Sequence, residues 1–388
     1  MKILQVFEFF SLPHGGGTVD IVYRLTRALK DRGHEVVIYT SDFELDQEYI
    51  DSLKGVKVHP FRSWLDLPGI HLTLGMIGAA NKRLKDFDII HLHCCRSFQN
   101  IVIHRYARKH GVPYVLDAHG SLLRAHGKWS LKWLLRWLFD VIFGYRILRD
   151  ANKVITENDV GAKEYREFAV REENIVTIPL SFPVEEFSQL PSPGLFRRKF
   201  GLKEKYLIMF LGRINWIKGL DFLVKSFYQL TQLRNDAILA IVGTDDGYQA
   251  ALEEVISKLN LSDRVLFTGF LGGEEKLSAL VDADVVVQLS RYEQAAWAPV
   301  EAVLCGTPVI VSKNTGAGED VSRLDAGYLV EYGNKGALID AMQRIFDDPS
   351  EAIGKVYRAG EYIRANLTLA KKAEEYEKLY TRCAKETK

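Results

Sequence analysis

The sequence predicts an α/β protein made of two domains with parallel sheets. Its 388 residues are too many for one ordinary hydrophobic core. Short β-branched runs alternate with longer amphipathic runs almost throughout, and this order produces parallel sheets covered by helices on both faces. The segment 179–201, which contains four prolines, interrupts the alternation before it resumes. This interruption predicts the linker between the domains.

The first block contains the elements of the N-terminal domain. An apolar run at 2–7 is typical of a strand, and residues 19–32 place Ile21, Leu25 and Leu29 on one helical stripe. Further strands are predicted at 35–40, 56–59, 88–93, 113–118, 153–156 and 174–178, and further helices at 72–85, 97–109, 128–149 and from 159.

The second block repeats the alternation and ends in a helical tail at 334–385. Because the runs between its strands are long and amphipathic, we expect helices there. Its strands are predicted at 206–211, 237–242, 264–268, 284–289, 308–311 and 327–330.

Composition excludes several classes of protein. The net charge is +1, from 51 basic and 50 acidic residues, which gives no whole-chain basis for nucleic-acid binding. The four cysteines form no CxxC pair and suit neither a zinc site nor a disulfide framework, which favours a reducing compartment. No uncharged apolar stretch of about 18 residues occurs, and the N-terminus lacks signal-peptide features. We therefore expect a cytoplasmic protein.

A glycine-rich segment, His14–Thr18, lies between the first predicted strand and the first predicted helix. Glycines let backbone amides approach a phosphate closely, and a helix N-terminus favours an anion. The segment matches neither GxGxxG nor a P-loop. A phosphate-binding loop and a plain glycine turn with positive φ are therefore both open.

Two cations, Arg213 and Lys218, follow the predicted strand 206–211. Ligands of open α/β sheets bind beyond the carboxyl ends of the strands. Arginine can clamp a diphosphate with two hydrogen bonds, and lysine adds a point charge. We predict that this pair flanks a diphosphate; the alternative is two solvated surface charges.

Two acidic residues bracket the loop that follows the predicted strand 284–289. Pro299 suits the first position of a helix, so the amides before it would be free. Glu301 would fall in the first turn, where the helix dipole favours a carboxylate, and Glu293 would lie in the loop. Such amides can bind phosphate, and carboxylates can accept hydrogen bonds from sugar hydroxyls. The alternatives are dipole compensation at Glu301 and a solvated loop acid at Glu293.

Glu293 and Glu301 are separated by seven residues and are followed by A-V-L-C-G-T-P-V-I at 302–310. This pattern resembles the E-x7-E signature of retaining GT-B glycosyltransferases of family 4, the glycosyl transferases group 1. Nearly the whole chain follows the family's order, including the glycines at 15–17 and the segment 211–219. The resemblance implies two facing Rossmann-like domains with parallel sheets and a cleft between them.

The resemblance also implies roles for the two domains. Residues 1–180 would form an acceptor-binding N-terminal domain, and residues 181–365 a C-terminal domain that binds the nucleotide sugar. The helix at 366–388 would cross back to the N-terminal domain.

Individual roles follow from the same resemblance. Arg213 and Lys218 would bind the donor diphosphate, Glu293 the hydroxyls of the donor sugar and Glu301 those of the ribose. His119 would contact the donor sugar and the leaving phosphate. The implied catalytic residues are therefore His119, Glu293, Arg213 and Lys218, and the implied donor-binding residues are Gly16, Gly17, Arg213, Lys218, Gly243, Leu271, Glu293, Ala295, Ala296, Trp297 and Glu301. Where the family often has Gly-Phe-Gly, this chain has residues 294–297 with a bulky tryptophan, which predicts an altered donor choice.

A metal site is weighed on two patterns and rejected on both. His91 and His93 share a strand face and could form a metal site with His119, but carboxylate partners are missing from that local pattern. Asp282 and Asp284 match a DxD motif, but they lead directly into a strand. The family normally needs no metal. We expect no metal and no cofactor, with a nucleoside-diphosphate sugar as co-substrate.

An aromatic, basic helix is predicted around residues 128–137. Trp129, Trp133 and Trp137 recur every four residues and line one helix face. Such a face can lie in a membrane interface, helped by anionic lipids, or it can face the core. Related enzymes often glycosylate lipid-linked acceptors. Peripheral membrane contact through Lys128–Trp137, at the inner face of the cell membrane, is therefore an expectation.

The predicted function is a hexosyltransferase reaction. A hexosyl or N-acetylhexosaminyl unit would move from a UDP- or GDP-sugar to a hydroxyl of a glycan or lipid-linked acceptor, with retention of the anomeric configuration. A sugar-nucleotide epimerase on the same fold and a non-catalytic nucleotide-sugar-binding subunit are the alternatives. A dinucleotide dehydrogenase is disfavoured because GxGxxG with its downstream acid is absent.

Overall fold

The computed structural model describes residues 1–67, 70–122, 131–203 and 206–387. The chain divides into two compact units, one of residues 1–181 with 369–388 and one of residues 182–368. These divisions lie within three residues of the expected boundaries after 180 and 365.

The first unit is built on a parallel seven-stranded sheet of order β3-β2-β1-β6-β7-β8-β9. Its apolar runs are buried on both faces of the sheet, as expected for parallel strands between helices. A short antiparallel hairpin, β4-β5, was not predicted. The strands are β1 (Lys2–Phe9), β2 (Glu35–Ser41), β3 (Lys57–Phe61), β4 (Asp66–Leu67), β5 (Ile70–His71), β6 (Ile89–His93), β7 (Tyr114–Asp117), β8 (Lys153–Thr156) and β9 (Ile175–Thr177).

The helices of the first unit connect these strands in sequence. Three short turns accompany them: 3-10 helices at Leu84–Asp86 and Glu172–Asn174, and a π-helical turn at Asp140–Gly144. The helices are α1 (Leu12–Asp31), α2 (Gln47–Asp51), α3 (Gly75–Arg83), α4 (Phe98–His110), α5 (Leu131–Phe139), α6 (Tyr145–Arg149) and α7 (Asp159–Glu167).

The second unit contains a parallel six-stranded sheet of order β12-β11-β10-β13-β14-β15. Its core lies between that sheet and helices such as α9 and α14. Two 3-10 turns, Val184–Phe187 and Trp216–Lys218, belong to this unit. Its regular elements are α8 (Leu195–Lys199), β10 (Tyr206–Leu211), α9 (Leu220–Leu233), β11 (Ala237–Val242), α10 (Gln249–Lys258), β12 (Val265–Gly269), α11 (Gly273–Asp282), β13 (Val285–Gln288), α12 (Trp297–Leu304), β14 (Val309–Ser312), α13 (Gly316–Arg323), β15 (Tyr328–Val330), α14 (Lys335–Asp347) and α15 (Ser350–Asn366).

The last helix, α16 (Leu369–Glu386), belongs to the first unit. Its buried face includes Ala373, Tyr376 and Tyr380, which pack with Ile3 and Leu29 in one hydrophobic cluster. The chain therefore returns to its first unit after completing the second.

The predicted glycine loop before the first helix was wrong. Helix α1 begins at Leu12, not at residue 19, with Ser11 in an extended conformation before it and Pro13 in its first turn. Proline is well tolerated there because the amides of a first turn have no helical partner. Gly16 and Gly17 therefore lie inside the helix, where their amides are placed to bond to carbonyls of the preceding turn. Their role in donor binding stays a prediction.

Candidate active site

The predicted donor residues of the second unit gather where its strand order reverses. Neighbouring strands β10 and β13 are followed by connections that run to opposite sides, which is the position where open α/β sheets bind ligands. Arg213 follows β10 and Glu293 follows β13. Two residues far apart in sequence are thus brought together at the edge of the sheet that the carboxyl ends of its strands form.

Lys218 and Glu293 form an ion pair at this edge, with both side chains largely buried. Lys218 ends the 3-10 turn, and the next residue, Gly219, has φ +66°. A Cβ on Gly219 would lie 2.0 Å from the carbonyl oxygen of Leu289, so only glycine lets the turn approach the end of β13 this closely. The glycine therefore positions the lysine for its pairing.

The Glu293 carboxylate is further fixed by two neutral donors. Its Oε2 accepts hydrogen bonds from Gln288 Nε2 at 3.2 Å and from Ser290 Oγ at 3.0 Å. Its backbone carbonyl accepts a bond from the amide of Gly316 at 2.7 Å. The carboxylate is thus held in one orientation by groups of its own loop and strand.

Arg213 lies at the same edge but is mostly exposed, with its guanidinium 2.8 Å from Asp246. The ends of the parallel strands β10 and β11 approach closely beside it, because a Cβ on Gly243 (φ +148°) would lie 1.9 Å from the carbonyl oxygen of Gly212. The predicted donor residue Gly243 therefore serves this close approach of two backbones. Its contact with a donor stays a prediction.

Helix α12 begins at Trp297, two residues before the predicted start at Pro299. Pro299 is the third helical residue, still among the positions whose amides have no helical partner. The amides of Ala296, Trp297 and Ala298 are those left over at this end of the helix. The prediction that Glu301 lies in the first turn was wrong, since that turn contains no acidic residue.

Glu301 instead forms an ion pair with Lys276 of α11, whose Nζ lies 2.7 Å from its Oε1. Sequence analysis missed Lys276, because nothing in its local pattern separates it from other charged residues on an amphipathic helix. Each of the two predicted carboxylates is thus paired with a lysine from another element.

Of two other predicted donor residues, Leu271 is buried and Trp297 is half-buried. Leu271, two residues beyond β12, is only 6% exposed, which leaves its main chain rather than its side chain for contacts. The Trp297 ring packs edge-on against Phe182 with centroids 5.2 Å apart, and its Nε1 has no hydrogen-bond partner among the described residues. Ala295, between Glu293 and the helix, is half-buried.

In the first unit, the predicted histidine His119 follows β7 in a left-handed conformation, with φ +46°. Its imidazole is 3% exposed, and its Nε2 lies 2.9 Å from Nδ1 of His93. Its Nδ1 lies 3.3 Å from a carboxylate oxygen of Asp117 and 3.7 Å from one of Glu157. Both ring nitrogens therefore face protein groups.

The ionisable groups around His119 shift one another's pKa values. Burial raises the pKa of Asp117 to about 7, against the opposing effect of His119. Burial by itself would lower the pKa of His119, but the carboxylates of Asp117 and Glu157 outweigh it and raise that pKa. The imidazole is thus favoured in its protonated form beside two acids.

The same three side chains bear on the expectation that no metal binds. The structure supplies the two carboxylates that the local sequence pattern lacked: ligand atoms of Asp117, His119 and Glu157 all lie within 4.8 Å of one another, close enough for one ion to contact all three. The absence of a metal therefore stays a prediction. The two aspartates of the DxD pattern have structural roles. Asp282 accepts a hydrogen bond from the backbone amide of Arg197, and Asp284 accepts one from the guanidinium of the same arginine.

Solved structures share this architecture over the whole chain. A crystal structure of Anabaena HepE in complex with UDP and glucose aligns with a TM-score of 0.78 at 20% identity, covering 98% of this chain and 100% of that one. With its two parallel-sheet units, the protein is of the GT-B class. The predicted fold class is confirmed.

Sequence comparison identifies the family. Residues 195–364 match the family model described as Glycosyl transferases group 1, and residues 15–186 match that of Glycosyltransferase Family 4. An uncharacterized glycosyltransferase of Methanocaldococcus jannaschii is 28% identical over 365 residues, 90% of each chain. A GDP-mannose-dependent alpha-(1-6)-phosphatidylinositol dimannoside mannosyltransferase of Mycobacterium tuberculosis is 25% identical over 354 residues, 90% of this chain and 88% of that one. The chain belongs to the group 1 glycosyltransferases, and it is a glycosyltransferase.

Proposed function

We propose that the protein transfers a hexosyl or N-acetylhexosaminyl unit from a UDP- or GDP-sugar to an acceptor hydroxyl, with retention of the anomeric configuration. One observation carries the proposal: two lysine–carboxylate pairs, Lys218–Glu293 and Lys276–Glu301, stand at the edge where α12 begins with free amides. Cations and amides suit a diphosphate, and carboxylates suit sugar hydroxyls.

Donor binding would work by an exchange of partners. The diphosphate gives Lys218 a second anion, and Glu293 then gains capacity to accept hydrogen bonds from the donor sugar. Glu301, turned by Lys276, accepts from the ribose in the same way. Arg213 and the amides before Pro299 add positive potential without further rearrangement, and such preorganised charge is the main source of leaving-group stabilisation.

The chemical step needs no protein nucleophile in this proposal. The bond between the anomeric carbon and the phosphate oxygen breaks while the acceptor oxygen bonds to the same face of that carbon. The leaving phosphate takes the acceptor's proton, and Arg213 and Lys218 stabilise its charge. His119 contributes from the first unit, near the donor sugar and the leaving phosphate.

The relatives support a nucleotide donor but divide on its base. The HepE structure holds UDP and glucose, whereas the mycobacterial relative is GDP-mannose-dependent. A thermal-shift panel of nucleoside diphosphates and their sugars decides between them, because a ligand that binds only the folded state raises its stability by mass action.

The matched variants for this panel are Glu301→Gln and Glu254→Gln. Glu254 is an exposed acid on α10 whose ion-pair partner among the described residues is Lys258, one helical turn away. We expect Glu301→Gln to lower the affinity for the preferred donor about tenfold, as the loss of a charged hydrogen bond implies, and so to reduce the thermal shift that this donor produces. Glu254→Gln should leave that thermal shift unchanged. If the donor produces equal thermal shifts in the two variants, the proposed contact of Glu301 with the ribose is contradicted. Proton NMR of the transferred sugar's anomeric coupling tests retention.

For the acceptor we propose a glycan or lipid-linked hydroxyl at a membrane surface, which would place the protein at the inner face of the cell membrane. Helix α5 and the π-helical turn after it expose a continuous apolar stripe, here called the leucine stripe. Its members recur three or four residues apart, so they share one helix face. They are Leu131, Leu134, Leu135, Leu138, Val141 and Ile142.

The exposed apolar residues of this helix differ from those that the sequence suggested. Trp133 is half-buried and Trp137 borders the stripe at 39% exposure, while Trp129 lies outside the described residues. The tryptophan face therefore turns partly inward, and leucines occupy the outer face. Exposed Arg146 and Arg149 follow the stripe and would meet anionic headgroups. Within the described residues, no helix is long and apolar enough to span a bilayer.

Liposome flotation tests the leucine stripe. Leu135→Glu should abolish binding to vesicles that contain anionic lipid, because a charge must then enter the interface. Leu233→Glu is the matched control, since Leu233, on α9 of the second unit, is somewhat more exposed than Leu135, 63% against 53%. If the native protein does not float with vesicles, or if both variants bind alike, the stripe is not a membrane contact.

A further inference from the structure

A line of buried polar side chains in the first unit ends at His119. Its members are Gln5 on β1, His93 on β6 and His119 beyond β7, three strands that are neighbours in the sheet. The side-chain oxygen of Gln5 lies 2.6 Å from His93 Nε2, and His93 Nδ1 lies 2.9 Å from His119 Nε2. Gln5 and His93 are fully buried. The proposed role of His119 uses neither of them.

The line fixes where the protons are. The carboxamide oxygen of Gln5 can only accept, so His93 Nε2 carries a hydrogen. Burial lowers the pKa of His93 well below its ordinary range, and nearby His91 and His119 add to this, so the ring is neutral. His93 Nδ1 is then a bare acceptor, and the hydrogen between the two rings belongs to His119 Nε2.

We propose that His93 is a positioning residue that holds His119 with a hydrogen on Nε2 and its Nδ1 turned towards Asp117 and Glu157. The inference rests on the proposed function, in which His119 serves the donor sugar and the leaving phosphate. It adds that His119 does not act as a base through Nε2. Its contribution is instead that of an imidazole of fixed orientation, whose Nδ1 lies 3.3 Å from a carboxylate oxygen of Asp117 and 3.7 Å from one of Glu157.

Three substitutions separate positioning from simple core packing. The amide oxygen of an asparagine can occupy the place of a histidine Nδ1, whereas a glutamine amide reaches the place of Nε2. His93→Asn should therefore keep an acceptor for His119, while His93→Gln and His93→Ala should not. If His93 only fills space in the core, the kcat of the variants should follow the size of the new side chain, and glutamine should be the best replacement.

The expected result is a split between kcat and KM. Removing a partner that orients a metal-ligating histidine commonly costs about 10- to 100-fold in activity, which sets the scale for a partner that orients His119. We expect such a loss of kcat in His93→Gln and His93→Ala, with the donor KM within about threefold, and kcat within about threefold of native in His93→Asn. Native kcat in His93→Ala, or an equal loss in His93→Asn, would overturn the proposal.

Tyr114→Phe is the control for core damage. Tyr114, on β7, is buried in a core cluster of the same unit, where its hydroxyl donates to the carbonyl of Ile147. We expect a lower melting temperature and unchanged kcat. A loss of kcat equal to that of His93→Ala would show that any disturbance of this core has the same effect.

A second readout does not depend on activity. Imidazole ¹⁵N NMR of the native protein, assigned with His119→Gln, should show His119 protonated at Nε2, a signal kept in His93→Asn and altered in His93→Ala. A bare Nε2 would overturn the inference. If the native protein transfers no sugar from any donor, the proposed function fails, and this spectrum still decides the role of His93.

Discussion

Glu164 should make the stability of the first unit fall as the pH rises. It lies on α7, 9% exposed, and its Oε1 has no hydrogen-bond partner among the described residues. Burial, with smaller contributions from Glu167 and Glu157, raises its pKa from the ordinary 4.5 to about 8. An acid with a raised pKa in the folded state keeps a proton there that the unfolded chain has already lost.

The size of the stability loss follows from the interval between the ordinary and the raised pKa of Glu164. Between pH 4.5 and pH 8, the folded state alone binds the proton, so the free energy of unfolding falls by about 1.4 kcal/mol per pH unit. Over three pH units the loss approaches about 4 kcal/mol for a group that stays dry, and water entry reduces it to about 2–4 kcal/mol. Glu164→Gln, which cannot ionise, should remove this part of the pH dependence.

The assay is urea unfolding at pH 5 and pH 8, with pulse-labelling hydrogen exchange of α7 peptides to follow the first unit separately. Glu8 and Asp117 also have pKa values raised by burial to about 7, but they are present in both proteins and cancel in the comparison. Glu48→Gln, an exposed acid on α2, is the control and should behave as native. If Glu164→Gln loses as much stability between the two pH values as the native protein, the reasoning is refuted.

Three further predictions concern the second unit and the metal question. Gly219→Ala should lower the melting temperature and raise the donor KM, because its Cβ would lie 2.0 Å from the Leu289 carbonyl; an unchanged KM in steady-state assays would contradict this. Lys276→Met should raise the donor KM about tenfold by freeing Glu301, which direct calorimetric titration with the nucleotide checks. Prior treatment with EDTA should leave transfer unchanged; activity lost and then restored by a divalent cation would contradict the expectation of no metal and make the cluster of Asp117, His119 and Glu157 a candidate site.

The strands were the most predictable part of this fold. Residues 206–211 and 237–242 were predicted as strands with the observed ends, because continuous apolar runs between polar turns have few alternatives in a parallel sheet. Helix starts were less predictable. The first turn of a helix tolerates proline at several positions, so Pro299 indicated a start without fixing which residue it was.

The candidate site was predictable only where one short segment carries the signal. Spacing within the chain indicated Glu293 and Glu301, but their lysine partners depend on how separate elements pack. Lys276 reaches Glu301 from another helix. The contacts of His93 likewise depend on the register of three neighbouring strands, and β-strand pairing of that range has no local sequence pattern.

The return of the last helix to the first unit affects the order of biosynthesis. Residues 182–368 form a continuous unit whose two ends lie side by side, since the amide of Phe182 donates to the carbonyl of Leu367 at 2.8 Å. The first unit instead needs α16 to cover Ile3 and its neighbours. During synthesis, the second unit can fold as soon as it leaves the ribosome. The first unit is made earlier, but part of its core stays uncovered until residue 386 is added. Domains usually mature in the order in which they are translated, whereas the core of the first unit here is complete only after α16 has been made.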